Sequence, residues 1–250
     1  MQKITIKNIL TRKGKKPITC LTAYSKATAE ILDRYCDIIL VGDSVGMTMY
    51  GMKTTKEVKI DTMMLHGKAV KKFVKRSLVV FDMPYKTYTN KFIAYKNAKK
   101  VLKTTRCDAI KLEGGKKIIN IIRYLVKKNI PVMGHVGLLP QYSNNFKLKG
   151  KNLFQRKKIL EDAISLSNAG VFAIVIECVV ENLAKEITNI VPVPTIGIGA
   201  SKYCDGQIQV FHDVLGYSSS APPKHAMQYQ NMYSRVLDVV KKYKSDVAKQ

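Results

Sequence analysis

The 250-residue sequence lacks any apolar run long enough to cross a bilayer. The longest runs, such as residues 171–180, fall well short of the roughly 20 apolar residues that a transmembrane helix needs. The first seven residues, MQKITIK, contain no apolar signal core, and no low-complexity tract follows. We therefore expect a cytoplasmic protein with a single domain, residues 1–250, and no membrane partner.

Paired cysteines are absent as well. The five cysteines are scattered along the chain, with no CxxC pair and no spacing typical of a metal site. An odd number of cysteines without a signal segment argues for free thiols in a reducing compartment. Most of them are expected to be buried as small apolar side chains.

Acidic residues are scarce relative to basic ones. Lys and Arg number 43 against 18 Asp and Glu, which gives a net charge of +25. Only seven of the basic residues are arginine, and the lysines are spread over predicted helix surfaces. Because dedicated nucleic-acid readers tend to use arginine, we do not expect nucleic acid as a partner. A non-catalytic, lysine-rich binding protein stays open as an alternative.

Short apolar, β-branched runs recur along the chain, separated by longer lysine-rich stretches of helical periodicity. Runs that are apolar on both faces are typical of parallel strands covered by helices, so the alternation predicts an α/β fold, a (β/α)8 TIM barrel. Asn90 is the expected cap of one helix, and residues 229–247 are expected to form a C-terminal helical extension. The eight predicted strands are residues 18–24, 38–44, 78–84, 109–115, 132–138, 173–179, 193–199 and 208–214.

Polar side chains gather at the carboxyl end of these predicted strands. In a TIM barrel that end carries the active site. A single acid there is often only a helix cap, but several acids that follow buried runs point to function, because an unpaired buried carboxylate is costly. The residues concerned are Asp43, Ser44, Asp82, Lys111, Glu113, His135, Glu177, His212 and Asp213.

Carboxylates that meet in one pocket repel one another unless a cation or protons compensate. With no Cys or His cluster beside them, they favour a hard ion with oxygen ligands: Mg²⁺ first, with Mn²⁺ or Co²⁺ as substitutes. Lys111 and Glu113 are two residues apart and point to the same side of their strand, so the ammonium can anchor a substrate carboxylate. His135 and His212 can be either functional or packing histidines. The order of the chain shows no P-loop and no Ser-His-Asp triad.

The same residues stand in motifs that resemble the ketopantoate hydroxymethyltransferase family, within the phosphoenolpyruvate/pyruvate barrel superfamily. The resemblance runs from Ile18 to Gly216. The motifs read LTAY (21–24), LVGDSVGM (40–47), FDMP (81–84), IKLEGG (110–115), GHVGL (134–138), IECV (176–179), IGIGA (196–200) and DGQI (205–208) with His212-Asp213.

The resemblance implies a chemistry and a role for several positions. The metal site would comprise Asp43, Asp82 and Glu113, the last acting through water, and the catalytic base would be Glu177. Asp43, Ser44, Asp82 and Lys111 would contact the 2-oxo acid. His135, to which the resemblance assigns no role, stays a candidate supporting residue beside them. The implied reaction transfers a hydroxymethyl group from 5,10-methylenetetrahydrofolate to 3-methyl-2-oxobutanoate, giving ketopantoate for pantothenate and coenzyme A synthesis. The family is commonly a homodecamer, so a homo-oligomer is expected.

One enzymatic alternative is a superfamily carbon–carbon lyase on a 2-methylisocitrate-like acid. Such lyases typically carry a Lys-Lys-Cys-Gly-His loop, which this sequence does not contain. The sequence also departs from the ketopantoate hydroxymethyltransferase pattern. Ser25 replaces the usual Asp, residues 139–152 lack the paired glycines of a loop that we expect to close over folate, and the tail from Tyr217 matches poorly.

Overall fold

The computed structural model describes residues 2–143 and 147–249 and contains a closed barrel of eight parallel strands. Each strand pairs with the next, and the last pairs with the first. The strands are β1 (Ile18–Thr22), β2 (Ile38–Val41), β3 (Leu78–Asp82), β4 (Ala109–Lys111), β5 (Val132–Gly137), β6 (Ala173–Glu177), β7 (Thr195–Ile198) and β8 (Gly206–Gln209).

Helices alternate with the strands, and most of them bury apolar residues against the outside of the barrel. They are α1 (Ile6–Leu10), α2 (Lys26–Leu32), α3 (Val45–Tyr50), α4 (Ile60–Phe73), α5 (Lys91–Thr105), α6 (Ile119–Lys127), α7 (Leu153–Asn168), α8 (Glu181–Ile190), α9 (Phe211–Leu215) and α10 (Met232–Val247). Two 3-10 turns lie at Thr55–Glu57 and Lys116–Ile118. The predicted TIM barrel with a C-terminal helix is confirmed.

The core has two layers, as this architecture requires. Inside the barrel pack side chains such as Ile38, Val80 and Met133, and between strands and helices pack residues such as Phe81 and Leu125. Every residue of β2, β3 and β4 is buried, which explains why these runs are apolar on both faces. All five cysteines are buried free thiols, as expected.

Local signals set several helix starts. Asn90 caps α5 by accepting hydrogen bonds of 3.0 Å from the backbone N–H groups of Phe92 and Ile93. Asn152 caps α7 in the same way through Gln155 N, at 2.9 Å. These bonds satisfy donors that the first turn of a helix leaves free.

The predicted bounds of the eighth strand, residues 208–214, are wrong. The strand is Gly206–Gln209, and residues 211–215 form α9. A Cβ at position 206 would lie 2.4 Å from the Ile18 carbonyl oxygen. Only glycine therefore allows β8 to approach β1 closely enough to pair with it from Gly206 onwards. The apolar residues at positions 210–215 are compatible with either a helix or a strand, and residues 211–215 form a helix. His212 and Asp213 therefore lie on α9 and not on a strand.

The remaining bounds differ at the strand ends. The predicted strands mostly ran past the residues that pair, so that Asp43, Ser44 and Glu113 lie in turns just after β2 and β4. Residues 144–146 of the altered 139–152 loop lie outside the described residues. Among the described residues, no helix is both long enough and apolar enough to cross a membrane.

Candidate active site

A cavity of about 660 Å³ opens at the carboxyl ends of the barrel strands. All the residues that the sequence proposed as metal-binding, substrate-binding or catalytic line this cavity. They are Asp43, Ser44, Asp82, Lys111, Glu113, His135 and Glu177. The barrel brings them together because parallel strands present their carboxyl ends at one rim.

Strand register places the first ion pair. Asp82 and Lys111 are register partners on β3 and β4, and Lys111 Nζ lies 3.0 Å from Asp82 Oδ1. The ammonium is also 3.9 Å from Glu113 Oε1. Asp43 joins this group through its backbone N–H, 3.4 Å from Asp82 Oδ2. All four side chains are buried, so the carboxylates and the ammonium are largely shielded from bulk solvent.

Burial and mutual repulsion control the protonation of these groups. Burial, and then the charge of Asp82, raises the pKa of Asp43 to about 8. Burial and the neighbouring carboxylates likewise raise the pKa of Glu113 well above its usual range, although Lys111 opposes the shift. Burial alone would lower the pKa of Lys111, but Asp82, Glu113 and Asp43 outweigh it and raise that pKa. The site thus holds more carboxylate than one ammonium neutralises.

This donor set fits a divalent cation. In residues 2–143 and 147–249, no three carboxylate, imidazole or thiol groups come close enough together to bind one ion. Asp43 and Asp82 are nevertheless adjacent, and Asp82 Oδ1 is buried with no well-aligned hydrogen bond. Mg²⁺ is commonly held by one or two carboxylates while water and substrate oxygens complete its coordination. The two aspartates suit such a site.

Ser44 lies directly after Asp43, at the start of α3. Its hydroxyl is 2.7 Å from the hydroxyl of Tyr24, in the LTAY motif after β1. The ring of Tyr24 stacks in turn on His212, with centroids 5.4 Å apart. His212 therefore packs against the Tyr24 ring whose hydroxyl contacts Ser44.

On the other side of the carboxylates, His135 on β5 connects Lys111 with Glu177. Its Nδ1 is 3.4 Å from Lys111 Nζ, and its Nε2 is 3.3 Å from Glu177 Oε2, an approach that is not aligned as a hydrogen bond. Burial and the Lys111 charge lower the pKa of His135, which favours the neutral ring. Because an ammonium can only donate, the ring proton belongs on Nε2, facing Glu177.

Glu177 ends β6 with its side chain 14% exposed, at the edge of the cavity. The next residue, Cys178, has the left-handed φ of 48°, which is uncommon for a residue other than glycine. Two backbone hydrogen bonds hold it, from Cys178 N to Ile198 O at 2.9 Å and from Lys149 N to Cys178 O at 2.7 Å. This turn directs the chain away from the cavity immediately after the carboxylate.

Gln141 is a site residue that the sequence did not reveal. It is fully buried, and its side-chain Nε2 donates to Asp43 Oδ2 at 2.8 Å and to Met83 O at 3.0 Å. Its backbone N–H donates to Glu113 Oε2 at 3.0 Å, and Tyr88 donates to its Oε1 at 2.5 Å. One residue thus bonds two of the three proposed metal-site carboxylates. The only local signal was its position soon after β5, on the catalytic face.

The wall of the cavity beside β7 and β8 comes from the C-terminal part of the chain. Asp213 on α9 lines it, and so do Lys224 and His225 from the segment that precedes α10. The sequence singled out Asp213 but neither of the other two. Segment 221–226 has no periodic pattern that would reveal a long-range contact.

Comparison with known proteins adds the family. A protein-family model described as ketopantoate hydroxymethyltransferase matches residues 3–250. The chain belongs to this family. A 3-methyl-2-oxobutanoate hydroxymethyltransferase from Pelagibacter ubique (strain HTCC1062) is 52% identical over 242 residues, which cover 97% of this chain and 94% of the relative. A relative of the same name from Anaplasma marginale (strain Florida) is 49% identical over 243 residues, covering 96% of this chain and 87% of its own.

Solved structures show the same fold in more distant proteins. Phosphonopyruvate hydrolase in complex with oxalate and Mg²⁺ superposes with a TM-score of 0.64 at 11% identity, covering 85% of this chain and 81% of that one. A 2,3-dimethylmalate lyase of the PEP mutase/isocitrate lyase superfamily gives 0.63 at 11% identity, with 84% and 79% covered. At this identity the likeness concerns the fold alone. Family membership confirms the resemblance and supports neither the lyase nor the lysine-rich binding protein.

Proposed function

We propose that this protein transfers a hydroxymethyl group from 5,10-methylenetetrahydrofolate to 3-methyl-2-oxobutanoate, giving ketopantoate. The observation that carries the proposal is one cavity with Asp43, Asp82, Lys111 and Glu113 on one side and Glu177 on the other, in a chain of this family. The first side suits a small anionic oxo acid, and the second suits a base.

Lys111 and Ser44 bind and orient the oxo acid. The buried ammonium attracts the substrate carboxylate, and its contacts with Asp82 and His135 fix its position. The Ser44 hydroxyl, held by Tyr24, donates to a substrate oxygen. Charge-assisted hydrogen bonds in a water-poor pocket give such an anion a defined orientation.

Asp43 and Asp82 would hold a Mg²⁺ ion, with Mn²⁺ or Co²⁺ as substitutes and Glu113 acting through water. When bound, the ion supplies Lewis-acid polarisation of the keto group, which makes the neighbouring C–H more acidic. The excess of buried carboxylates over ammonium groups supports this assignment.

Glu177 acts as the base. It removes the proton from the branched carbon beside the keto group, and the electron pair left behind is delocalised onto the keto oxygen. His135 Nε2 lies 3.3 Å from Glu177 Oε2 and carries the ring proton on the side of that carboxylate. The methylene carbon exchanges its two bonds to the folate nitrogens for a carbon–carbon bond to the branched carbon and a carbon–oxygen bond to the oxygen of one water. The proton held by Glu177 and one proton of the water go to the two folate nitrogens, and tetrahydrofolate leaves.

Formation of tetrahydrofolate and ketopantoate tests the proposal, with purified protein, both substrates and either Mg²⁺ or EDTA. Metal-dependent formation of both products is the expected result. If folded, metal-loaded protein forms neither product, the proposal is wrong. Cleavage of 2-methylisocitrate by the same preparation would then favour the superfamily lyase.

A further inference from the structure

The cavity is larger than the oxo acid requires. A volume of about 660 Å³ lies in the range that encloses a drug-sized ligand, whereas 3-methyl-2-oxobutanoate has only five carbons. The groups assigned to binding the oxo acid lie on or directly after β2, β3 and β4, and the proposed base Glu177 ends β6. The part of the cavity beside β7 and β8 has its own lining, which includes the titratable residues Asp213, Lys224 and His225.

The outer wall of this second part is segment 221–226, and it is fixed to the barrel. His225 packs directly on Gly199, where a Cβ would lie 2.7 Å from the His225 Cβ. Gly199 also has the left-handed φ of 56°. His225 Nδ1 is 3.6 Å from Cys178 Sγ, and Met227 N donates to Gln209 Oε1 at 3.1 Å. The wall is therefore held at the ends of β6, β7 and β8.

Asp213 is a half-buried carboxylate that faces this space. Among the described residues it has no hydrogen bond or ion pair through its side chain, and the charged group that acts on it is His225. Lys224, at the exposed rim, has no hydrogen bond or ion pair in the same part of the chain either. A carboxylate that has given up part of its hydration without a protein partner is suited to a ligand with N–H donors.

We propose that this second part of the cavity binds the reduced pterin of the folate, with Asp213 accepting two N–H bonds from its aminopyrimidinone edge and Lys224 pairing with the anionic glutamate tail. This inference rests on the proposed function and deepens it. The ring nitrogen N–H and the 2-amino group of a pterin form a parallel pair of donors that matches the two oxygens of a carboxylate.

The apolar lining supports the same ligand. Ile198, Ile208 and Val210 line the cavity on the barrel side, and Pro223 and Ala226 line it on the wall. Such surfaces bury the faces of a flat ring while a few polar groups fix its orientation. His225 contacts Cys178, the residue after Glu177, so this part of the cavity adjoins the proposed base. A folate bound in this part of the cavity would place its methylene group next to the branched carbon of the oxo acid, from which Glu177 removes the proton.

Equilibrium binding of tetrahydrofolate to the full-length protein tests the site. Asp213→Asn keeps the shape of the side chain and removes its charge, and it should weaken binding about tenfold or more. Asp238→Asn, on exposed α10, is the matched control and should change nothing. Binding of Mn²⁺ and of 3-methyl-2-oxobutanoate should be unchanged in both variants. Unchanged tetrahydrofolate affinity in Asp213→Asn, or no binding by the wild-type protein, would overturn the proposal.

A ligand without the 2-amino group separates direct pairing from a structural effect of Asp213 on α9. A 2-desamino folate analogue should bind the wild-type protein more weakly than folate does. It should bind Asp213→Asn almost as well as folate does, because that variant already lacks the contact with the 2-amino group. Fully additive losses would overturn the pairing. Lys224→Met should weaken a triglutamate folate more than a pterin that lacks the tail, and equal losses would overturn the role of Lys224.

The failure of this inference can be distinguished from that of the proposed function. If the wild-type protein forms ketopantoate and Asp213→Asn retains the wild-type KM for methylenetetrahydrofolate, the pterin site is wrong and the reaction stands. If the wild-type protein forms no ketopantoate, the reaction itself is wrong.

Discussion

The side-chain amide of Gln141 donates a 2.8 Å hydrogen bond to Asp43 Oδ2. The backbone N–H of the same residue donates a hydrogen bond to Glu113 Oε2 at 3.0 Å. Gln141 is in the loop after β5, whereas Asp43 and Glu113 follow β2 and β4. These two bonds therefore connect the loop after β5 with two of the carboxylates that we assign to the metal site, and they orient both carboxylates.

Replacing Gln141 should weaken metal binding. Gln141→Ala frees Asp43 to rotate, and loss of a residue that orients a metal ligand typically lowers affinity about 10- to 100-fold. Titration calorimetry with Mg²⁺ or Mn²⁺ measures the effect. Gln155→Ala is the matched control, because Gln155 accepts a hydrogen bond from Gly150 N at the far end of the same loop and, within residues 2–143 and 147–249, makes no hydrogen bond to a carboxylate. Equal metal affinity in the two variants would show that Gln141 does not orient the site.

Removing the Lys111 ammonium should destabilise the protein when no metal is added. Lys111→Met leaves Asp82 buried without its 3.0 Å partner, and breaking a buried pair on one side costs about 3–5 kcal/mol of the free energy of unfolding. Urea unfolding in EDTA measures the loss, and Mg²⁺ should restore part of it. Lys100→Met breaks an exposed pair with Asp61 and should cost at most about 1 kcal/mol. Similar losses in both variants would contradict the buried-pair account.

The sequence predicted the barrel and its polar rim for a physical reason. Local periodicity reveals strands buried on both faces, and parallel connectivity then brings Asp43, Asp82 and Lys111 to one end without further information. Gln141 and His225 could not be predicted in this way. Their contacts join loops to distant strands, and no local pattern encodes that approach. The eighth strand was misplaced because its register depends on close contact between Gly206 and β1.

Asp205, in the DGQI motif, lies directly before β8, at the end of the barrel opposite the cavity, and bonds the segments that precede β1 and begin β7. It accepts hydrogen bonds from the backbone N–H groups of Thr195 and Gly14, both at 2.8 Å, and from Lys13 Nζ at 2.9 Å. Burial alone would raise the pKa of Asp205, but these bonds outweigh it and lower that pKa. A carboxyl whose pKa is lower in the folded state stabilises the fold above its unfolded pKa and loses that effect as pH falls.

Asp205→Asn should therefore lower the free energy of unfolding at pH 7 by about 2–3 kcal/mol, a typical effect for bonds to a charged group. The difference from the wild-type protein should be fully present above about pH 4 and should shrink below it. Urea unfolding at several pH values measures this difference. Asp61→Asn, at an exposed carboxyl, should show no measurable change at either end of the range. A difference that stays constant down to pH 3 would contradict the assignment.

If Glu177 is the base, it removes the proton from the branched carbon of 3-methyl-2-oxobutanoate even when no folate is present. Exchange of that proton with deuterium in D₂O, followed by NMR with Mg²⁺ and no folate, tests this step alone. We expect metal-dependent exchange by the wild-type protein and loss of most of it in Glu177→Gln, while that variant still binds Mg²⁺ and the oxo acid. Exchange at the wild-type rate in Glu177→Gln would show that Glu177 is not the base.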